Sequence, residues 1–222
     1  PFIRGFTGFR TLLLIDGIRL NNAVLREGPN QYWNTVDPLG VDRLEVVKGP
    51  SSVLYGSDAI GGTVNAITRS SDPDVGDAPG DWFGKMHWGR RLYYRFASGE
   101  DSHIARAESS VAYEGKLGLL GGVSFKDFGD LGGGRHTGLL DRTDYGELDG
   151  DVKAVYRVTP DMDLVLAYQR VGQEDVPRTH ATVFSKSFHG TTVGTDLVRE
   201  LDQTRRLGYV QLHWRKPSDW LS

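Results

Sequence analysis

Cysteine is absent from all 222 residues, which excludes disulfides, iron–sulfur clusters and thiolate zinc sites. Long apolar runs are also missing: the longest candidate, Leu12 to Ile15, falls far short of the roughly 20 residues a membrane helix needs. Positive charge is not in excess. The formal net charge is −3 with no long basic run, which argues against a nucleic-acid groove. The opening "PFIRGF" is strand-like and has neither the basic start nor the apolar stretch of a signal peptide, so the chain is either cytoplasmic or a piece of a longer protein. Hydrophobic residues amount to only 38%. This scarcity does not exclude a membrane β-barrel, in which lipid-facing and lumen-facing residues alternate and cancel in any average.

Glycine, by contrast, is plentiful, with 29 residues against an average usage of about 7%. Turns and strands are therefore favoured over helices. Four glycines fall in "VVKGPSSVLYGSDAIGGTVNAITR" (46–69), where a phosphate-cradling loop has to be considered first. The spacing excludes it, because the run fits neither G-x-x-x-x-G-K-[ST] nor G-x-G-x-x-G. Instead "PSSVLYG" (50–56) has proline and serines at its start and glycine at its end, as a short helix does. Strands are expected on either side, in "VDRLEVVKG" (41–49) and "TVNAIT" (63–68). Further upstream, "TLLLIDGIRL" (11–20) sets Asp16-Gly17 between two apolar stretches, the pattern of a tight hairpin. The Asp-, Pro- and Gly-rich "SSDPDVGDAPGD" (70–81) reads as a linker.

Beyond the linker the pattern changes to long alternations. In "ELDGDVKAVYRV" (147–158), Leu148, Val152, Ala154, Tyr156 and Val158 share one face, and Glu147, Asp149, Asp151, Lys153 and Arg157 the other. "ARAESSVAYE" (105–114) and "RLGYVQLHW" (206–214) alternate in the same way, although Tyr209 blurs the second. Six strands are expected, at roughly 82–97, 105–115, 117–128, 144–158, 163–175 and 203–216. Short connections ("EGKLG", "TPDMD") alternate with long ones (132–142, 177–202), as in outer-membrane barrels; "SGEDSHI" is a modest exception. Trp82, Trp214 and Trp220 are all expected at the short-turn end, where an aromatic girdle belongs. A soluble β-sandwich would also alternate. Against it stands strand length, since several of these strands exceed the usual mode of about 5 to 6 residues.

The quoted segments "PFIRGF", "RTLLLIDGIRLNN" and "VDRLEVVKGPSSVLYGSDAIGGTVNAITR", in this order and followed by amphipathic strands, resemble a TonB-dependent outer-membrane receptor. Over residues 1–70 the likeness is carried by specific turn motifs; over 82–222 it is architectural. It implies a mainly β fold: the C-terminal part of an α+β plug domain (1–70), a linker (71–81), and the first six antiparallel strands (82–222) of a transmembrane barrel of about 22 strands. The implied activity is energy-dependent import of a scarce large ligand of the iron-siderophore, haem or cobalamin class. The implied partners are the inner-membrane TonB complex, reached through a segment outside this sequence, and outer-membrane lipid; no cofactor and no nucleic acid are implied.

The resemblance also nominates residues. Arg4 in "IRG" and Lys48 in "VKGP" match plug cations that meet glutamates on the barrel's inner wall, with those glutamates expected in strands outside this sequence. Lys48 stands where arginine is frequent, so a bidentate fork is lost there. The loop "NNAVLREGPNQYWNTVD" (21–37) supplies Arg26, Glu27, Asn30, Gln31, Tyr32 and Trp33, a set able to stack on and hydrogen-bond a polar ligand; alternatively Tyr32 and Trp33 simply pack the loop in place. His136, His180 and His189 fall in expected extracellular loops, as ligand contacts or as solvated side chains. Two other classes stay open on the residues alone: a non-transporting surface adhesin or binding module, and an enzyme, for which no spacing resembles a catalytic signature.

Overall fold

The computed structural model of the chain describes residues 3, 5, 10–20, 33–56, 58–73, 86–132, 135, 138–177 and 200–215. It divides into two compact units, residues 1–69 and 70–222. The first unit is a four-stranded sheet ordered β2-β1-β4-β3, made of β1 (Thr11–Ile15), β2 (Ile18–Arg19), β3 (Val41–Lys48) and β4 (Gly62–Thr68). β1 pairs in parallel with β4, and the other neighbours are antiparallel. All five residues of β1 are buried, which accounts for a continuous apolar run rather than an alternating one. Leu13 packs on one side with Ile3 and Val64, and Leu12 and Leu14 on the other with Ala59.

The expected Asp16-Gly17 hairpin joins β1 to β2. Both residues have positive φ (49° and 80°), the geometry that makes a two-residue turn match strand twist. Asp16 also ties this turn to the far end of β4, accepting from the Thr68 backbone N–H at 2.9 Å and from Thr68 Oγ1 at 2.6 Å. The edge strand β3 is exposed over most of its length and carries Asp42, Arg43, Glu45 and Lys48, charges that discourage pairing with a foreign strand. The short helix α1 (Ser52–Tyr55) ends at Gly56 with φ 89°. Ser51 does not cap it through its side chain; its hydroxyl shares a 2.7 Å hydrogen bond with Thr63, clamping the helix entrance to β4.

The second unit is a six-stranded antiparallel sheet of β5 (Met86–Ala97), β6 (Ser102–Tyr113), β7 (Leu117–Phe128), β10 (Tyr145–Thr159), β11 (Met162–Pro177) and β12 (Glu200–Trp214), ordered β12-β11-β10-β7-β6-β5. Neighbours in sequence are neighbours in space, apart from a small hairpin, β8 (Leu131–Gly132) with β9 (Leu139–Leu140), set into the connection between β7 and β10. Thr143 secures the base of that hairpin, donating from its N–H to Asp130 and accepting from the Leu131 N–H. Two expected boundaries move. Residues 102–104, read from sequence as connection, pair with 95–97 and belong to β6. β12 begins at Glu200 because its ladder with β11 continues past an irregularity between Gln173 and Val176.

The polarity of this sheet is inverted relative to a soluble one. On β7, Leu119, Val123 and Phe125 are 42%, 55% and 54% exposed, while Ser124 and Lys126 are 0% and 4% exposed. The same holds on β6, where Arg106 and Glu108 are buried and Ala107 and Tyr113 exposed. A soluble β-sandwich would bury the apolar face, so that alternative is overturned. A sheet with apolar side chains outward and charges inward suits a barrel wall between lipid and a polar lumen. The short connections (114–116, 160–161) leave one end and the longer ones (129–144, 178–199) the other, with 98–101 again the short exception. Trp214 lies opposite Met162 at the short-turn end, exposed as a girdle residue should be; Trp82 and Trp220 lie outside the described residues.

Candidate functional site

Among the described residues, the buried face of the six-stranded sheet carries three charge networks that cross strands. In the first, Arg106 on β6 donates from Nε and Nη2 to Glu108 Oε2 at 3.1 and 3.0 Å and from Nη1 to Ser124 on β7 at 3.1 Å. It also reaches Asp151 on β10 at 2.8 Å. Arg91 on β5 meets the same Glu108 oxygen at 3.2 Å. Four strands are thereby tied by one buried guanidinium and its partners. The geometry depends on Gly122, which lies between Arg106 and Asp151: a Cβ there would overlap Arg106 Nη2 and lie 2.5 Å from its Cζ.

In the second network Lys126 on β7 donates to Glu147 at 2.5 Å and to Asp149 at 2.7 Å, both on β10, and Gln173 on β11 donates to the other oxygen of Glu147 at 2.8 Å. Nearer the short-turn end, Asp163 holds both Arg157 at 3.1 Å and Arg215 at 3.0 Å. Buried charges of this kind are tolerable only when paired and hydrogen-bonded. Alternation in the sequence lined up these residues on one face; the cross-strand register makes them partners. Glu108, Glu147, Asp149 and Asp151 line the buried face of the present strands, each engaged with a cation of the same sheet; the glutamates expected to meet Arg4 and Lys48 belong to strands outside this sequence.

Of the nominated residues, Lys48 and Trp33 are described. Lys48 closes β3 opposite Gly62, exposed and without an ion pair among the described residues. Gly49 follows with φ 116°, a conformation suited to glycine, and its N–H bonds Gly61 O at 3.1 Å, so the chain turns sharply after the lysine. Trp33 opens a short helical turn and packs, half-buried, against the Ile3, Leu13 and Val64 cluster. Its observed contact is thus with the first unit's own core. Arg4, Arg26, Glu27, Asn30, Gln31, Tyr32, His136, His180 and His189 lie outside the described residues. Among the described residues no group of His, Asp or Glu is placed to hold a metal ion.

An antiparallel sheet that buries charge and exposes apolar side chains, preceded by a small unit built on a parallel β1–β4 pair, points to an outer-membrane β-barrel protein as the class. Comparison with known proteins carries this further. Residues 1–63 match the family model "TonB-dependent Receptor Plug Domain". Over 76 residues, 34% of this chain, the sequence is 46% identical to the vitamin B12 transporter BtuB of Vibrio vulnificus. Over 103 residues it is 37% identical to the iron-regulated outer membrane virulence protein of Vibrio cholerae. These matches span 12% and 15% of the relatives' own lengths. In fold the chain is similar to the siderophore receptor PirA of Acinetobacter baumannii, with a TM-score of 0.51 and 19% identity over 75% of this chain and 24% of that one. The ferric enterobactin receptor PfeA of Pseudomonas aeruginosa gives the same score and identity over 80% of this chain and 27% of that one. The plug-domain match, the named relatives and the shared fold together support a TonB-dependent outer-membrane receptor, with the bacterial outer membrane as its compartment. Of these proteins, one is named as a transporter and two as receptors.

Proposed function

We propose that the whole receptor actively imports a scarce, large ligand of the ferric siderophore, haem or cobalamin class, driven by the TonB complex of the inner membrane. In this assignment residues 1–70 are the C-terminal part of the plug, 71–81 a linker and 82–222 the first part of the barrel wall. The observation that carries the reading is the joining, in one chain, of a plug-domain sequence to a sheet of inverted polarity. The likeness to a vitamin B12 transporter and to an iron-regulated outer membrane protein supports the ligand class. A lumen lined with hydrogen-bonding groups supports the mechanism, because polar contacts can be exchanged one at a time for water, whereas a dry core must separate as a whole.

Within this reading Arg26, Glu27, Asn30, Gln31 and Tyr32 contact the ligand at the plug apex, with His136, His180 and His189 as further candidates on the loops above. Trp33 anchors their loop to the plug core and contributes through position. Arg4 and Lys48 latch the plug.

The test is uptake by cells expressing the full-length receptor, with and without functional TonB, of labelled cobalamin, a ferric siderophore and haem at limiting concentration. Uptake of one of them that vanishes without TonB, while surface binding persists, is the expected result. Binding with no TonB-dependent uptake of any of the three would instead favour an adhesin. Lys48→Glu should impair uptake more than binding if the latch role holds; an equal loss of both would remove it.

A further inference from the structure

The exposed face of the barrel sheet is apolar except at a few positions, and two of these meet. Arg170 on β11 and Arg206 on β12 are paired directly across the ladder, and both are exposed. Around them on the same face stand Leu148, Val152, Tyr168 and Val210. Directly opposed like charges destabilise a strand pair, and arginine on a lipid-facing wall carries a further, depth-dependent cost. Neither arginine has an ion pair or hydrogen bond among the described residues to offset this. Glu174, four residues along β11 on the same face, forms an ion pair with neither.

The surroundings leave room for a bound group. Gly150 flanks Arg170 on β10. Gly172 follows it on the same face, and the Arg170 guanidinium lies 3.6 Å from where a Gly172 Cβ would stand, so the side chain leans toward the Pro177 end, where the long 178–199 connection begins. Tyr168 turns across toward β12, its ring 3.7 Å from the corresponding point on Gly208, the residue directly opposite it. Arg170 is eight residues along β11 from Met162, the residue facing Trp214 at the short-turn end. At about 3.4 Å per residue and a tilt of about 40°, that is a rise of roughly 20 Å within an apolar band about 25 Å tall. Leaning upward, the Arg170 guanidinium reaches the headgroup level of the outer leaflet, and Arg206 stands opposite it on β12.

We propose that Arg170 and Arg206 form a site on the outer wall of the barrel for the phosphate of an anionic outer-leaflet lipid. A phosphate offers oxygens to two planar forks at once, converts the like-charge repulsion into a shared charge-assisted contact, and keeps its acyl chains against the apolar wall. The proposal rests on the membrane-barrel reading and is independent of which ligand is imported.

The experiment uses the full-length receptor extracted from its outer membrane in mild detergent, with bound lipid phosphate counted by native mass spectrometry. Arg170→Gln/Arg206→Gln is compared with the natural protein and with Arg90→Gln, an arginine on the same exposed face that stands opposite Ser109 rather than another cation. The natural protein and the Arg90 variant should retain phosphorylated lipid, and the double variant should lose at least about five-fold, as expected when both charge-assisted partners are removed. Absence of lipid phosphate from the natural protein, its full retention by the double variant, or equal loss in the Arg90 variant would each overturn the proposal. So would saturation of the site by inorganic phosphate added without lipid. Heat-shifted migration of the folded barrel on gels, measured in parallel, checks membrane-barrel integrity separately, so that failure of the barrel reading is distinguishable from failure of the lipid site.

Discussion

Replacing Gly122 by alanine isolates the contribution of the Arg106 network. The added Cβ would overlap Arg106 Nη2 and lie 2.5 Å from Cζ and 2.9 Å from Nη1. An arginine tip can ordinarily swing aside, but this side chain is 0% exposed and bound to Glu108, Ser124 and Asp151. Moving it separates the guanidinium from Asp151 while Glu108 keeps Arg91, so the cost should be about 3 kcal/mol, the lower end for breaking a buried pair. The assay is reversible urea unfolding of the full-length receptor in detergent micelles or vesicles, run as a double-mutant cycle with Arg106→Met. In the Arg106→Met background the methyl group meets no fixed guanidinium, and the cost should fall below about 1 kcal/mol. Gly121→Ala is the control: its Cβ would sit 3.7 Å from Asp151 O, an ordinary contact, and should be tolerated. A loss from Gly122→Ala as small as that control's, or one of equal size in both backgrounds, would refute the reasoning.

Three more outcomes are expected. Lys126→Met strips Glu147 and Asp149 of their shared cation and should destabilise the barrel by about 3 to 5 kcal/mol in the same unfolding assay, with Lys126→Arg costing less. Asp16→Ala removes two acceptors from the end of β4 and should cost about 1.5 to 3 kcal/mol, read as faster hydrogen exchange at Thr68 in the intact receptor. Gly62→Ala places a Cβ 2.5 Å from Val47 O at a backbone φ of 153°. Its strain should amount to about 1 to 3 kcal/mol, seen as increased protease sensitivity of the β3–β4 segment with unchanged migration of the folded barrel.

Much of this architecture was legible in the residues. Two-residue alternation sorts Glu147, Asp149 and Asp151 from Leu148 and Val152 whatever the strand's neighbours, because successive Cβ atoms point to opposite faces. The Asp16-Gly17 turn and the short helix closed by Gly56 follow from local backbone preference alone, and local preference can be read from a local sequence. Composition likewise disposed of disulfides, the shortness of apolar runs of membrane helices, and glycine spacing of phosphate loops.

Non-local pairing was not legible. Arg106 meets Asp151 across 45 positions and Lys126 meets Glu147 across 21, and nothing in either segment names the other. The parallel match of β1 with β4, the extension of β6 back to Ser102 and the opposition of Arg170 to Arg206 are likewise properties of register. Which face is buried also belonged to the tertiary structure, since alternation is identical in a soluble sandwich and a membrane barrel. The sequence by itself determined the elements and the two kinds of face; the assembled sheet decided that charge lies inside, where Lys126 and Arg106 meet carboxylates carried by other strands.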